Sequence, residues 1–509
     1  MIKSDVHKET PSVPFIDNSN TSSYRSIFKA TSLFGGLQVY QILIGIIKSK
    51  FVAILLGPAG MGIMGLYQST LDLIKSVSAF GLESSAVRDI SEANGSKNEL
   101  KIATIIASMR KLVWLTGALG LVITLVLAPL LSRLTFGNGD YTWGFVLLSV
   151  TLLINQISAG QRVLLQGMRR LRDLAKASAI GATVGLIISV PLYYWIGPQG
   201  IVPTIVAASL SSMALSWFYA RKVKTQKVNL TLKQAFSNGQ SMIRMGIAMS
   251  ISSILVTLFA YILRWFIRKQ GGVDAVGVFS AGFMIVNTYV GMVFTAMGTD
   301  YYPRLAAVNS DNERCKEVIN QQGEVAVLIL APLAVSCIIF MPLIIRIIYS
   351  ESFLSATDYI SWAILGMMFK AASYVVAYLI LAKADSRVFI YNETFSNIRS
   401  LIFNIVGFYL WGLAGLGIAF LVNNVCYLVQ VFFIAKKRYN FSFQPSFINV
   451  FIPQFALVVV CFVITKLWES NYSFLILAIL FIISTIYSLI ELNKKMNIVV
   501  FLKHRLNSK

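Results

Sequence analysis

The chain has 509 residues, of which 56% are hydrophobic and only 13% charged, with a formal net charge of +22 and a mean hydropathy of +0.70. Soluble globular proteins carry about 25% charged residues, so this composition excludes a soluble enzyme and identifies an all-α polytopic membrane protein. Apolar windows of roughly 20 residues, the length that crosses about 30 Å of hydrocarbon, recur along the whole chain.

Residues 1–27 are polar, rich in Ser, Thr and Pro, and lack the apolar core and cleavage site of a signal peptide, so they read as a cytoplasmic tail. Fourteen membrane segments follow, at about 28–50, 63–82, 112–131, 142–161, 177–196, 201–219, 242–263, 276–298, 323–345, 359–382, 390–410, 415–435, 448–466 and 473–490. In the first, Gln38, Gln41, Gly45 and Lys48 fall at helical spacing on one face. Lys48 and Lys50 close that segment before Leu56-Gly57-Pro58-Ala59-Gly60, which lacks the lysine and serine of a phosphate loop and reads as a helical hairpin turn. The second segment sets Asp72 and Lys75 three residues apart, close enough to pair, and the fourth aligns Asn155, Ser158 and Arg162.

A basic linker, 221–241, leads to the seventh segment, where Ser250, Ser253, Thr257, Tyr261 and Arg264 form a second polar stripe. Arg264, Arg268 and Lys269 close it before Gly271-Gly272-Val273-Asp274, with Asp274 reading as an N-cap. The tenth segment carries Lys370, Tyr374 and Tyr378 on one face, with Asn155 at the position equivalent to Lys370. Segments 13 and 14 span 437–490, and 491–509 is a basic tail.

The chain contains an internal repeat. Ala128-Pro129-Leu130-Leu131-Ser132-Arg133 resembles Met341-Pro342-Leu343-Ile344-Ile345-Arg346, and Gly60-Met61-Gly62-Ile63-Met64 resembles Ala275-Val276-Gly277-Val278-Phe279, at offsets of 213 to 215 residues. An even number of spans per copy makes the repeats parallel, and two six-helix lobes are expected, 28–220 and 242–436, related by an axis along the membrane normal. With both termini inside, inward tails and loops hold 34 of the 44 lysines and arginines, an asymmetry that orients the chain. The net charge then records attraction to the anionic cytoplasmic leaflet, and nucleic acid is not an expected partner.

Against that asymmetry, the outward cations Lys48, Lys50, Arg264, Arg268 and Lys269 repeat in both copies. Buried cations regain desolvation energy when an anion arrives, which suits a phosphate or pyrophosphate headgroup. For Lys50, Arg268 and Lys269, and to a lesser degree Lys48 and Arg264, snorkelling to headgroups is the competing reading; Lys75 and Lys370 lie too deep to escape easily. Asp72 reads either as an ion-coupling carboxylate that exchanges Lys75 for a proton or sodium ion, or as a static bridge to Lys75. Cys315, Cys337, Cys426 and Cys461 are scattered, and His7 and His504 lie in the tails, so neither a metal, a cofactor nor a nucleophilic triad is expected.

Leu56-Gly57-Pro58-Ala59-Gly60-Met61-Gly62, the Phe80-Gly81 corner, Ala86-Val87-Arg88-Asp89-Ile90, Tyr302-Pro303-Arg304-Leu305, Lys370-Ala371-Ala372-Ser373-Tyr374 and Leu381-Ala382-Lys383-Ala384 lie in register over about residues 25–440. Together they resemble the Wzx-type O-antigen and enterobacterial common antigen flippases. The resemblance implies the MATE-like superfamily of multidrug exporters and the lipid II flippase, with a V-shaped pair of lobes in the bacterial inner membrane. It implies transport of an undecaprenyl-pyrophosphate-linked oligosaccharide for lipopolysaccharide biosynthesis to the periplasmic leaflet. Membrane lipids and the glycan polymerase machinery are implied partners. By the same register Lys48 stands where the lipid II flippase has a substrate-side arginine, a point charge in place of a bidentate fork. Segments 13 and 14 resemble that flippase's lipid-groove pair. Binding residues are therefore expected at Lys48, Lys75, Arg264, Lys370, Tyr374, Gln41, Asn155, Lys50, Arg88 and Arg268, with Asp72 for ion coupling. The alternatives are a MATE-like multidrug antiporter and a membrane glycan polymerase or ligase.

Overall fold

Helix is the only regular structure in the computed structural model among the residues it describes, 18–96, 98–226, 228–468 and 471–496; the outer parts of both tails, with His7 and His504, lie outside them. In hydrocarbon each peptide group must find its partner within the protein, and helices achieve this segment by segment. The helices are α1 (Asn18–Ser78), α2 (Leu82–Gly95), α3 (Glu99–Phe136), α4 (Thr142–Gly167), α5 (Leu171–Ile196), α6 (Ile201–Ala220), α7 (Leu232–Asn238), α8 (Gln240–Met284), α9 (Met292–Ala307), α10 (Asn312–Ile348), α11 (Ala356–Ala382), α12 (Ser386–Tyr439), α13 (Pro445–Leu467) and α14 (Asn471–Met496).

Ten helical stretches among the described residues are long and apolar enough to cross a membrane. Four of these, Gly36–Ser78, Leu171–Ala220, Ser253–Ala307 and Ser386–Tyr439, hold 43 to 55 residues, about twice what one crossing needs. They break at Gly57, Gly197, Gly272 and Gly412, all with positive φ, and splitting them there yields the fourteen expected segments. The hairpin turn expected at residues 56–60 takes up a single non-helical residue. Gly57 alone interrupts α1, and Pro58 opens the next half, where a missing N–H costs nothing. Asp274 lies in the first turn after Gly272, inside the helix and not at the expected N-cap.

The backbone carries the duplication in its rarest conformations. Gly57 and Gly272 have φ of 63° and 78° with ψ of −167° and −179°, a region essentially confined to glycine. Gly197 and Gly412 match at φ 62° and 56° with ψ −139° and −134°, and Arg169 and Ala384 are both left-handed at φ 55° and 54°. Every pair is 215 residues apart.

The second half of α1 packs along α8, and the contact repeats itself. Gly62 lies against the Val273 carbonyl while Gly277 lies against that of Pro58, again at an offset of 215 residues, so one self-complementary patch is used twice. At the opposite end Gly81 meets the Gly246 carbonyl. Caps mark that second end: the side chains of Asn98, Asp311 and Asp385 accept from the first-turn amides of α3, α10 and α12, and Thr231 forms a capping box with Gln234. Outside the repeat, α13 and α14 pack on α10. Buried Gln454 bonds Ser484 and Ser488, and Lys495 pairs with buried Glu324, polar fastenings of the kind that hold helices together in lipid. Lys466, unmatched in the sequence repeat, pairs with Asp358 at 2.6 Å.

Candidate functional site

Two cavities of about 600 and 550 Å³ flank the seam between α1 and α8. The larger lies among α8, α11 and α12, and the smaller among α1, α4, α6 and α8. They are the same site built twice. Lys48, Met64, Gln68, Asn155, Ile205, Ala208, Ser209 and Ser212 line the smaller, and the residues 215 further on, Leu263, Phe279, Phe283, Lys370, Phe420, Asn423, Asn424 and Tyr427, line the larger. Arg264 belongs to both walls.

Lys48, Asp72, Asn155 and Arg264 thus share one cavity, and Arg264, Lys370 and Tyr374 the other. Arg264 Nη1 donates to the carbonyl of Ala260, 3.3 Å away in its own helix, and the guanidinium sits 5.9 Å from the Phe283 ring centre. Lys370 Nζ donates to Asn287 Oδ1 at 3.4 Å and lies 5.8 Å from the rings of Phe294 and Phe420. Among the described residues none of Lys48, Arg264 and Lys370 has a carboxylate within ion-pair distance. Cations held this way recover their desolvation cost only when an anion enters.

The pair expected from the spacing of Asp72 and Lys75 does not form. Asp72 accepts from Gln68 Nε2 at 2.9 Å, and Lys75 Nζ lies 2.8 Å from Glu83 Oε1. The chain reverses at Phe80 and Gly81, both at positive φ, and so returns Glu83 on α2 to the side of Lys75. Both partners keep 38% of their side chains exposed, so the pair is a weak one. They line a cavity of about 320 Å³ that shares Asp72 and Thr257 with the Lys48 cavity, and another of about 420 Å³ continues it past Glu83 to Arg162 and Gln166.

Other expected binding residues lie elsewhere. Lys50 donates to the carbonyls of Arg346 and Tyr349, each at 2.6 Å, at the end of α10. Arg268 donates to the Phe136 carbonyl at 2.9 Å, at the end of α3. These cations do not line the two large cavities: each half caps a helix of the other, where carbonyls lack partners and the helix dipole is negative. Arg88 is exposed on α2, with Nη1 2.6 Å from the Met245 sulfur. Gln41 lines neither large cavity; from the half of α1 before Gly57, Lys48 is the residue that lines the smaller one.

Arg399, like its polar neighbours, is not among the binding residues expected from the sequence. In the structure it lies within α12, where Nε donates to Asn423 Oδ1 at 3.1 Å and Nη1 to Gln430 Oε1 at 2.5 Å. Gln430 donates to Asn392 Oδ1 at 2.7 Å, and Tyr427 Oη to Glu393 Oε1 at 2.5 Å. The signal was present as polar residues three or four apart, Asn392, Ser396 and Arg399, then Asn423, Tyr427 and Gln430.

A family model described as polysaccharide biosynthesis protein matches residues 51–358. The lipid III flippase of Escherichia coli (strain K12) is 22% identical over 381 residues, covering 72% of this chain and 88% of that protein. Among solved structures, an inward-facing MATE family multidrug resistance transporter of the MOP superfamily superposes with a TM-score of 0.69 at 16% identity, covering 79% of this chain and 94% of that one. The lipid II flippase MurJ in an inward closed conformation gives 0.69 at 11% identity, covering 92% and 99%. The chain therefore has the MATE-like fold of that superfamily.

Proposed function

Because the chain belongs to the polysaccharide biosynthesis protein family, we propose that it is a flippase, not an enzyme, which carries an undecaprenyl-pyrophosphate-linked oligosaccharide of the O-antigen kind across the bacterial inner membrane. The observation that carries this reading is the trio Lys48, Arg264 and Lys370, cations in cavity walls that, among the described residues, have no carboxylate within ion-pair distance. Similarity to a lipid III flippase supports a lipid cargo.

Both termini face the cytoplasm, and the Gly57 and Gly272 turns face outward. The lobes 28–220 and 242–436 rock about the seam. The pyrophosphate enters past Lys75, settles between Lys48 and Arg264, and leaves when the Gly57 end opens, while the polyprenyl tail stays in lipid. An ion gradient or the membrane potential drives the cycle, with Asp72 as coupling carboxylate for a proton or sodium ion. A glycan polymerase downstream is the partner that consumes the product.

A MATE-like drug antiporter is the second reading, favoured by the fold and by Asp72 and Glu393 in the two walls. Three cations against two acids weigh the other way for cationic drugs. The test is complementation of a strain deleted for this protein: Lys48→Ala with Arg264→Ala should lower surface polysaccharide about tenfold or more at normal protein levels, since each charged contact is worth about 1.5–3 kcal/mol. Full restoration by that double variant overturns the cationic site. Lipid-linked single repeat units should accumulate on the cytoplasmic face of the deletion strain, whereas accumulation on the outer face would indicate a polymerase or ligase.

A further inference from the structure

The two large cavities share a backbone plan but not a chemistry. On the wall where the first half has Ile205, Ala208, Ser209 and Ser212, the second has Phe420, Asn423, Asn424 and Tyr427. Rings and amides stand where small and aliphatic side chains stand in the other copy.

The amides are held in opposite senses. Asn404 Nδ2 donates to the Ser400 carbonyl at 2.7 Å and Asn424 Nδ2 to that of Phe420 at 2.8 Å, so each spends a donor on its own helix and keeps Oδ1 as an acceptor. Asn423 is the reverse: its Oδ1 accepts from Arg399 Nε at 3.1 Å, which leaves its amide N–H groups to donate. A wall with fixed acceptors beside a fixed donor matches groups that are donor and acceptor at once, which hydroxyls are and an ionised phosphate is not. Phe420 and Tyr427 add flat apolar faces suited to the C–H face of a pyranose. The one carboxylate in this wall, Glu393, already accepts from Tyr427 and Asn392.

We propose that the cavity among α8, α11 and α12 is a saccharide subsite that holds the hydroxyl-rich rings of the cargo beside Lys370 and Arg264, the two cations of its wall, while the Lys48 cavity holds its pyrophosphate. Arg264, in both walls, marks the junction between pyrophosphate and first sugar. The assignment rests on the flippase reading above. It makes Asn404, Asn423 and Asn424 specificity-determining residues, with Arg399 a positioning residue that acts through Asn423.

The experiment measures binding by native mass spectrometry of the full chain, with bare undecaprenyl pyrophosphate and with undecaprenyl pyrophosphate carrying a neutral tetrasaccharide as probes. The wild type should favour the glycan-bearing lipid about tenfold, the worth of a few hydrogen bonds. Asn404→Ala with Asn423→Ala should abolish that preference and leave the bare lipid bound as before. Wild type that binds both lipids alike, or a double variant that keeps the preference, overturns the subsite and leaves the flippase reading intact. Wild type that binds neither lipid overturns both. If the double variant does not fold, Phe420→Leu, which keeps bulk and removes the ring, carries the same comparison with the same outcomes.

Discussion

At the scale of the residue, two positions apart on one helix can mean two different jobs. Lys48 faces a cavity and Lys50 caps α10, as expected of neighbours that point about 200° apart around a helix. Asp72 and Lys75 lie only about 60° apart around α1 and still do not pair, because the Lys75 ammonium is held by Glu83. That removes the static Asp72–Lys75 bridge and leaves Asp72 with the amide of Gln68, a partner that does not neutralise it. A carboxylate so placed can exchange its cation or proton during a cycle. Asp72→Asn should therefore bind cargo normally yet lose the several-fold acceleration that an imposed ion gradient gives in proteoliposomes. Transport by this variant that still responds to collapse of the gradient would rule out Asp72 as the coupling group.

At the scale of the element, the glycine breaks decide where crossings begin. A Cβ at Gly57 or Gly272 would meet nothing within 4 Å, so any cost of substitution there is backbone strain alone. Gly57→Ala and Gly272→Ala should each destabilise the protein by about 1–3 kcal/mol, seen as a lower unfolding temperature in detergent. Gly45→Ala is the control: it too has open space around it and no positive φ, so about 0.5–1 kcal/mol of stabilisation is expected. Equal effects at all three sites would refute the assignment of Gly57 and Gly272 as obligatory breaks.

At the scale of the whole molecule, the halves grip each other near the Gly57 end by reciprocal capping, Lys50 on α10 and Arg268 on α3. Opening that end must release both caps. Lys50→Ala and Arg268→Ala should each enrich the conformation open there, and the double variant most. Spin labels at positions 140 and 352, both exposed, should then gain a longer-distance population. An unchanged distance distribution would remove the caps from the gating scheme.

Hydropathy, helical periodicity and repetition are local properties of a chain, and from them alone came the membrane class, the fourteen segments, the 213 to 215 residue repeat and the polar faces of Lys48, Arg264 and Lys370. Each rests on neighbours within a turn or two, or on comparing one stretch with another. Which cation meets which partner is a property of the seam. Lys50 with Tyr349, Arg268 with Phe136 and Arg399 with Asn423 join residues on different helices or on opposite sides of a break, and spacing carries no information about contacts that packing makes. Even the short-range pairing of Lys75 depended on a reversal at Phe80 and Gly81. The duplication was legible in sequence; that its two copies face each other and have diverged into one cavity walled by small side chains and one walled by amides and rings, meeting at Arg264, was decided by the tertiary structure.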